Sequence, residues 1–233
     1  AQYIELIDSL VSELTTRDIG VILDMHQYLW SSKFRDIESE EGDHCGGGGI
    51  PAWLYENSTI SDFQDARCQF FAGISPEGAP IDPQEGFLEA WKFLAGRYVS
   101  YTKVIAADMI NEPWAAFEKC TPEELHLNEF YEKVGKTIRE VSPDIILIFE
   151  DSQDFDNGEF ALSGPLSFSN TMYYFHLYTR RWQPDGSKRL NRYLTRAREW
   201  NVPLFVGEFN AFDYGSDENV PSSWKSDLQS LLA

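Results

Sequence analysis

Four short runs of this chain end in side chains able to move a proton or carry a charge: Asp24-Met25-His26, Asn111-Glu112, His176-Leu177-Tyr178 and Gly207-Glu208. Each closes an apolar, β-rich stretch. Singly, each has a plain reading: a strand-terminal His or Tyr is usually a rim residue, and "NEP" or "GEF" can arise by chance. Pro113, after Glu112, cannot donate to a ladder and would end a strand in any case. Together the four point to chemistry. Side chains two apart share one face of a strand, which pairs Asp24 with His26, His176 with Tyr178, and Asp108 with Ile110 and Glu112. Two opposed carboxyl groups are what glycosidic bond cleavage needs, one protonated to release the leaving oxygen, the other ionised to attack the anomeric carbon. Glu112 and Glu208 are the candidates.

The elements that must position these residues repeat along the chain. Residues 1 to 16 space Ile4, Ile7, Leu10, Val11 and Leu14 as a helix does, and "IGVILDMH" follows as a strand. The pattern recurs in "FLEAWKFLAGRYVSY" then "VIAADMINEP", "EELHLNEFYEKVGKTIREV" then "IILIFED", and "LNRYLTRAREW" then "PLFVGEFN", with "TMYYFHLYT" between the last two. Near-continuous apolar strands alternating with amphipathic helices predict a parallel α/β sheet. Three strand-to-strand steps separate Glu112 from Glu208, about 32 residues each, close to the roughly 250 residues of an eight-unit barrel. Such a barrel carries its site on the rim where all strands finish. No linker divides residues 1–233, so a single domain is expected. One insertion, between His26 and Pro83, contains "HCGGGGIPAW".

Composition narrows the function. Nineteen basic against 38 acidic side chains give a formal charge of -19, which repels phosphate backbones and anionic membranes, so no nucleic-acid partner is expected. No apolar run is long enough to span a membrane, and the first ten residues are amphipathic rather than a signal peptide. Cys45, Cys68 and Cys120 lack metal-ligand spacing and can form one bridge at most. Asn57-Ser58-Thr59 matches a glycosylation sequon. No metal or cofactor is called for.

"DMH", "NEP", "HLY" and "GEF", in this order at strand ends, resemble glycoside hydrolase family 5, retaining glycosidases on a (β/α)8 TIM barrel. The resemblance implies Glu112 as acid/base, Glu208 as nucleophile, and Asn111 as donor to the sugar 2-hydroxyl. It implies that His26 and His176 line the cleaved sugar's subsite and that Tyr178 hydrogen-bonds the nucleophile. Matching "VILDMH" to the third family strand and "PLFVGEF" to the seventh leaves strands 3 to 7 represented. Strands one, two and eight are then unaccounted for, which implies either a partial sequence or strands supplied by another segment, and the family's arginine after strand two and tryptophan after strand eight have no counterpart here. A β-linked oligo- or polysaccharide is the expected partner, an endo-β-1,4-glucanase the first expected activity, and a secreted protein the expected setting. "DMHQ" and "GIPAW" also resemble the endoglycoceramidases of that family, the alternative activity. A catalytically inactive carbohydrate-binding barrel is a further alternative.

Seven tryptophans complete the reading. Trp91, Trp200 and Trp224 fall in helical segments and are expected in the core. Trp30, Trp53, Trp114 and Trp182 follow strand ends or lie in the insertion, and an exposed indole can stack on a pyranose; Trp30, Trp114 and Trp182 are the substrate-binding candidates. The glycine run lacks both a following G-x-S-x-G and a Gly-Lys-Ser/Thr, so neither an esterase nor a phosphate loop is expected, and a flexible lid is. A metal-dependent lyase or aldolase would want a lysine at a strand end, whereas Lys103 precedes its strand.

Overall fold

A computed structural model of the protein describes residues 2–27, 30–34, 48–113, 119–152, 159–178 and 186–210. The chain folds as two compact units, Ala1–Thr171 and Met172–Ala233. In the first, α1 (Gln2–Thr16) precedes β1 (Val21–Asp24), α2 (Phe63–Phe71) belongs to the insertion, α3 (Pro83–Tyr98) precedes β2 (Val104–Asp108), and α4 (Leu127–Val141) precedes β3 (Ile146–Glu150). β1 pairs with β2 and β2 with β3, both parallel, with Asp24 in register with Asp108 and Asp108 with Ile148. The helices between paired strands, α2 and α3 before β2 and α4 before β3, supply the return path that a parallel pairing needs.

The helices form where sequence periodicity and caps agree. α4 buries Leu127, Phe130, Tyr131, Val134 and Ile138, one continuous face at spacings of three and four. α3 begins at Asp82, whose carboxylate accepts from the backbone N–H groups of Gln84 (2.8 Å) and Glu85 (3.1 Å), and Pro83 occupies the first turn. The first helix departs from expectation in one respect. Val11 is buried and Ile4, Ile7 and Leu14 half-buried, but Leu10 is exposed and continues a stripe with exposed Tyr3 and Leu6.

The ladder of β2 stops at Asp108, short of the expected strand, yet its backbone pairing does not. Met25 N–H donates to Asp108 O, Met109 N–H to Ile148 O, and Asn111 N–H to Met25 O. Buried Trp91 of α3, a core tryptophan as expected, donates its indole N–H to Met109 O at 2.9 Å. The insertion is not loose. Aromatic rings of Trp30, Phe70, Phe71, Phe87 and Phe130 pack edge to face or tilted at 5.0–5.9 Å. Gly49, at the end of the glycine run, has φ +139°, and a Cβ there would lie 2.7 Å from Trp30 O and 2.9 Å from Gln27 Cβ, so the expected flexible lid is tightly seated at this point. Residues 44–47 of that run lie outside the described residues. Cys68 and Cys120 form the one bridge the sequence allows, joining α2 to the segment after β2.

In the second unit, β4 (Thr171–Tyr178) pairs in parallel with β5 (Leu204–Asn210), connected by α5 (Gly186–Trp200). Alternation sorts the faces of β4. Tyr173 and Phe175 pack on Tyr193 of α5, at 5.6 and 4.3 Å, and Tyr173 also on Trp200 at 5.0 Å. Tyr174 and His176 take the opposite face. Trp224 lies outside the described residues.

Candidate active site

Within the first unit, every motif residue expected at a rim stands at or just beyond the carboxyl end of its strand. His26 is exposed and its Nδ1 lies 2.9 Å from Asp24 Oδ2, as the shared strand face predicts. Asn111 is buried and Glu112 half-buried. Glu112 has φ +44°, a left-handed conformation that costs a non-glycine residue of order 1–3 kcal/mol, and one that the following proline disfavours further. The strand parity inferred through Ile110 to Glu112 therefore does not set the acid's direction; the turn at Glu112 does.

Hydrogen bonds on both sides hold that turn. Glu112 N–H donates to Glu150 Oε2 at 2.8 Å, from the end of β3. Gln27 Nε2 donates to Asn111 O at 2.7 Å and to Glu112 O at 2.8 Å, while Asn111 Nδ2 donates to Gln27 O at 2.9 Å. Buried Glu150 is itself framed by Tyr131, whose hydroxyl donates to Glu150 O (2.9 Å) and accepts from Glu150 N–H (3.1 Å). Burial, with the Glu150 charge next, pushes the Tyr131 hydroxyl well above the ordinary tyrosine range, which keeps it neutral. Behind Gln27 stands Arg67 of α2, 1% exposed, donating to Gln27 Oε1 at 3.0 Å. Burial pulls the Arg67 guanidinium down to about 10, against the opposing pull of the Glu112 charge, and it stays charged at neutral pH.

Trp30 is the correction. Instead of offering a face to sugar, its indole is 0% exposed, packed edge-on against Phe70 and tilted against Phe71, with Arg67 over its ring and its N–H donated to Tyr55 Oη at 2.8 Å. The insertion folds back over it, and an indole with its one donor satisfied is stable there. Trp53 is exposed. Trp114 and Trp182 lie outside the described residues, as does the side chain of Tyr178.

The second unit places Glu208 by a bulge. Tyr174 pairs with Phe205 and Phe175 with Val206, but His176 pairs with Glu208, so Gly207 is an extra residue in β5. Were the ladder regular through Gly207, Glu208 would pair with Leu177 and point to the face opposite His176. With it, His176 Nε2 lies 3.6 Å from Glu208 Oε1, an ion-pair rather than a hydrogen-bond distance. The Tyr174 hydroxyl hydrogen-bonds the same Nε2, and its ring lies where a side chain at 207 would go: a Cβ on Gly207 would be 1.6 Å from Tyr174 Cε2. The register needs a residue at 207, and packing against Tyr174 requires that it be glycine.

Gln27, Arg67, Glu150, Tyr131 and Tyr174 were not singled out by sequence. Gln27 adjoins His26, and Glu150 closes the apolar run of β3 as Asn111-Glu112 closes the run after β2, so both carried a readable signal. Arg67 carried none.

Comparison with known proteins fits this layout. The family model for Cellulase (glycosyl hydrolase family 5) matches residues 1–231. Among solved structures, endo-glycoceramidase II from Rhodococcus sp., as its lactosyl-enzyme intermediate, is similar at 21% identity and a TM-score of 0.72, covering 99% of this chain and 57% of that one. An endogalactoceramidase is similar at 21% identity and TM-score 0.68, covering 90% and 51%. The catalytic domain of an endoglucanase from Thermobifida fusca gives 19% identity and TM-score 0.52, covering 98% and 58%. The chain thus spans a little over half the length of the solved structures it matches. No curated protein matches at a significant level. The fold class expected from the sequence, a (β/α)8 barrel with strands 3 to 7 represented, is the one these structures support.

Proposed function

The chain belongs to the cellulase family, glycosyl hydrolase family 5, and from that membership we propose that it is the central part of a retaining β-glycosidase with Glu112 as acid/base and Glu208 as nucleophile. The observation that carries this is the match over residues 1–231 together with both glutamates standing at carboxyl ends of parallel strands, each built into place: Glu112 by hydrogen bonds to its peptide, Glu208 by the bulge at Gly207. In this reading Glu208 attacks the anomeric carbon while Glu112 gives its proton to the departing oxygen. Glu112 then takes a proton from the water that releases the glycosyl-enzyme. His176, beside Glu208, lines the subsite of the cleaved sugar, and His26, oriented by Asp24, lines it too. One N–H of the Asn111 amide is held by Gln27 O, and the other serves the 2-hydroxyl. Tyr178, Trp114 and Trp182 keep their expected roles as nucleophile partner and sugar platforms.

Hydrolysis of a β-1,4-glucan is the first substrate reading. The similarity to endo-glycoceramidase II over 99% of this chain favours a second, cleavage of a glycan from a glycolipid. Incubating the active protein with cellotetraose and with a lactosyl ceramide, and following each by mass spectrometry, separates them. The roles are tested by Glu208→Ala, which should abolish turnover until azide is added, giving a glycosyl azide of inverted configuration. Glu112→Ala should keep a fast first step on substrates with good leaving groups and then stall. Inversion by the unmodified protein, or normal turnover by Glu208→Ala, refutes the assignment. A retaining pair also needs its carboxyl groups roughly 5–5.5 Å apart, which an inhibitor complex would measure. A secreted setting is supported by the Cys68–Cys120 disulfide, since such bonds persist in oxidising compartments.

A further inference from the structure

The insertion between β1 and α3 buries a guanidinium for which the two-carboxylate mechanism has no use. Burying a charge is costly unless it is paired and hydrogen-bonded. Arg67 of α2 lies over the rings of Trp30 (5.6 Å) and Phe63 (5.4 Å), donates to Gln27 Oε1, and feels the charge of Glu112. Its neighbour in sequence, Cys68, is bonded to Cys120 in the segment following Glu112, and Lys119 there pairs with Asp62 and Asp65 at the start of α2. α2 is therefore fastened to the segment that follows the acid.

The chemistry of Gln27 shows what Arg67 does. A glutamine amide has one acceptor and one donor end of nearly equal shape, and its hydrogen-bond partners choose between the two orientations. Here the donor end must face the carbonyls of Asn111 and Glu112, because both accept from it. Arg67, a donor with no acceptor capacity, faces the other end and admits only Oε1 there. We propose that Arg67 is a positioning residue for Glu112: through Gln27 it fixes the left-handed Asn111–Glu112 turn and so aims the acid's proton at the leaving oxygen. This rests on the reading of Glu112 as acid/base. The insertion then belongs to the acid catalyst rather than only covering it.

A positioning defect in the acid has a signature that general destabilisation lacks. Departure of a poor leaving group needs the proton, and departure of a good one does not. The test compares kcat/KM for phenyl and 2,4-dinitrophenyl β-cellobiosides in the active protein and in Arg67→Met, Arg67→Lys, Gln27→Glu and Glu112→Ala variants. Arg67→Met should lower the phenyl substrate by roughly 10- to 100-fold, a large share of what general acid catalysis supplies, and leave the dinitrophenyl substrate within about threefold. Gln27→Glu keeps Arg67 paired while removing the donor to both carbonyls, so it should show the same selective loss even if Arg67→Met fails to fold. Arg67→Lys, which restores a donor toward Oε1, should recover part of the ratio. Equal losses on both substrates in Gln27→Glu, or no loss, overturn the proposal. If Glu112→Ala itself shows no leaving-group selectivity, it is the acid/base reading that fails.

Discussion

Replacing Gly207 with alanine tests whether the bulge and the ring that crosses it form one unit. The added Cβ would stand 1.6 Å from Tyr174 Cε2, 2.3 Å from Cζ and 2.5 Å from Oη. Reaching ordinary carbon–carbon contact requires the ring to retreat by roughly 2 Å. Tyr174 is 4% exposed and stacked on Phe205 with centroids 5.9 Å apart, so it has little room to do so. Overpacking of this kind costs about 1–3 kcal/mol, and loss of the hydrogen bond to His176 adds about 1 kcal/mol. Against this, alanine at an unstrained glycine would gain about 0.4–1 kcal/mol through the unfolded chain. A net loss of about 2–3 kcal/mol is expected, read as a fall in the urea midpoint at unchanged slope. In a Tyr174→Ala background the space is open, and the same substitution should be neutral or slightly stabilising. A Gly207→Ala variant within about 0.5 kcal/mol of the parent, or an equal cost in both backgrounds, refutes the reasoning.

Three further outcomes follow from other parts of the molecule. Removing the Cys68–Cys120 bridge, by a paired Cys→Ala substitution, reopens a loop of 52 residues and should cost about 4 kcal/mol in chain entropy, measured by urea unfolding. Burial, partly offset by the Trp30 hydrogen bond, raises the Tyr55 hydroxyl from its ordinary 10 to about 12, so the folded state favours the neutral phenol. That stability is intact below pH 10 and should be lost as pH climbs toward 12, by roughly 2–3 kcal/mol, with Tyr55→Phe abolishing this part of the alkaline slope. At Asp82 burial raises the pKa, but hydrogen bonds from Ser75, Glu85 and Gln84 and the charge of Lys133 outweigh it and hold the carboxyl below its ordinary value. Its stabilisation of α3 is therefore present above the unfolded pKa and lost as pH falls through the folded one, and Asp82→Ala should cost about 1 kcal/mol at neutral pH by circular dichroism melting.

The features legible in the sequence were those with a local cause. α4 could be read because five apolar residues recur at helical spacing, and the strand ends because each apolar run breaks at a polar pair. The bulge at Gly207 was not legible, since its register is set by β4, a strand thirty residues away in sequence. Trp30 was misread for the same reason. Its burial depends on Phe70 and Phe71 returning over it, and nothing near position 30 announces that return. Arg67 looked like any arginine of a polar segment, and three cysteines allow three pairings that composition does not rank. The positive φ of Glu112 is also invisible in "NEP", because Glu150 and Gln27 impose it from other strand ends.

The bridge between Cys68 and Cys120 makes a covalent ring of the chain, and within that ring lie the turn before α3, all of α3, β2 and Glu112. Ile74 and Ile81 in that turn are exposed and offer a protease accessible bonds there. A single cut inside the ring divides the polypeptide without separating its pieces. The two fragments would migrate apart only after reduction, and until then the strand that carries the acid stays tied to both flanks of the first unit, so a break in this exposed turn leaves the acid's strand attached.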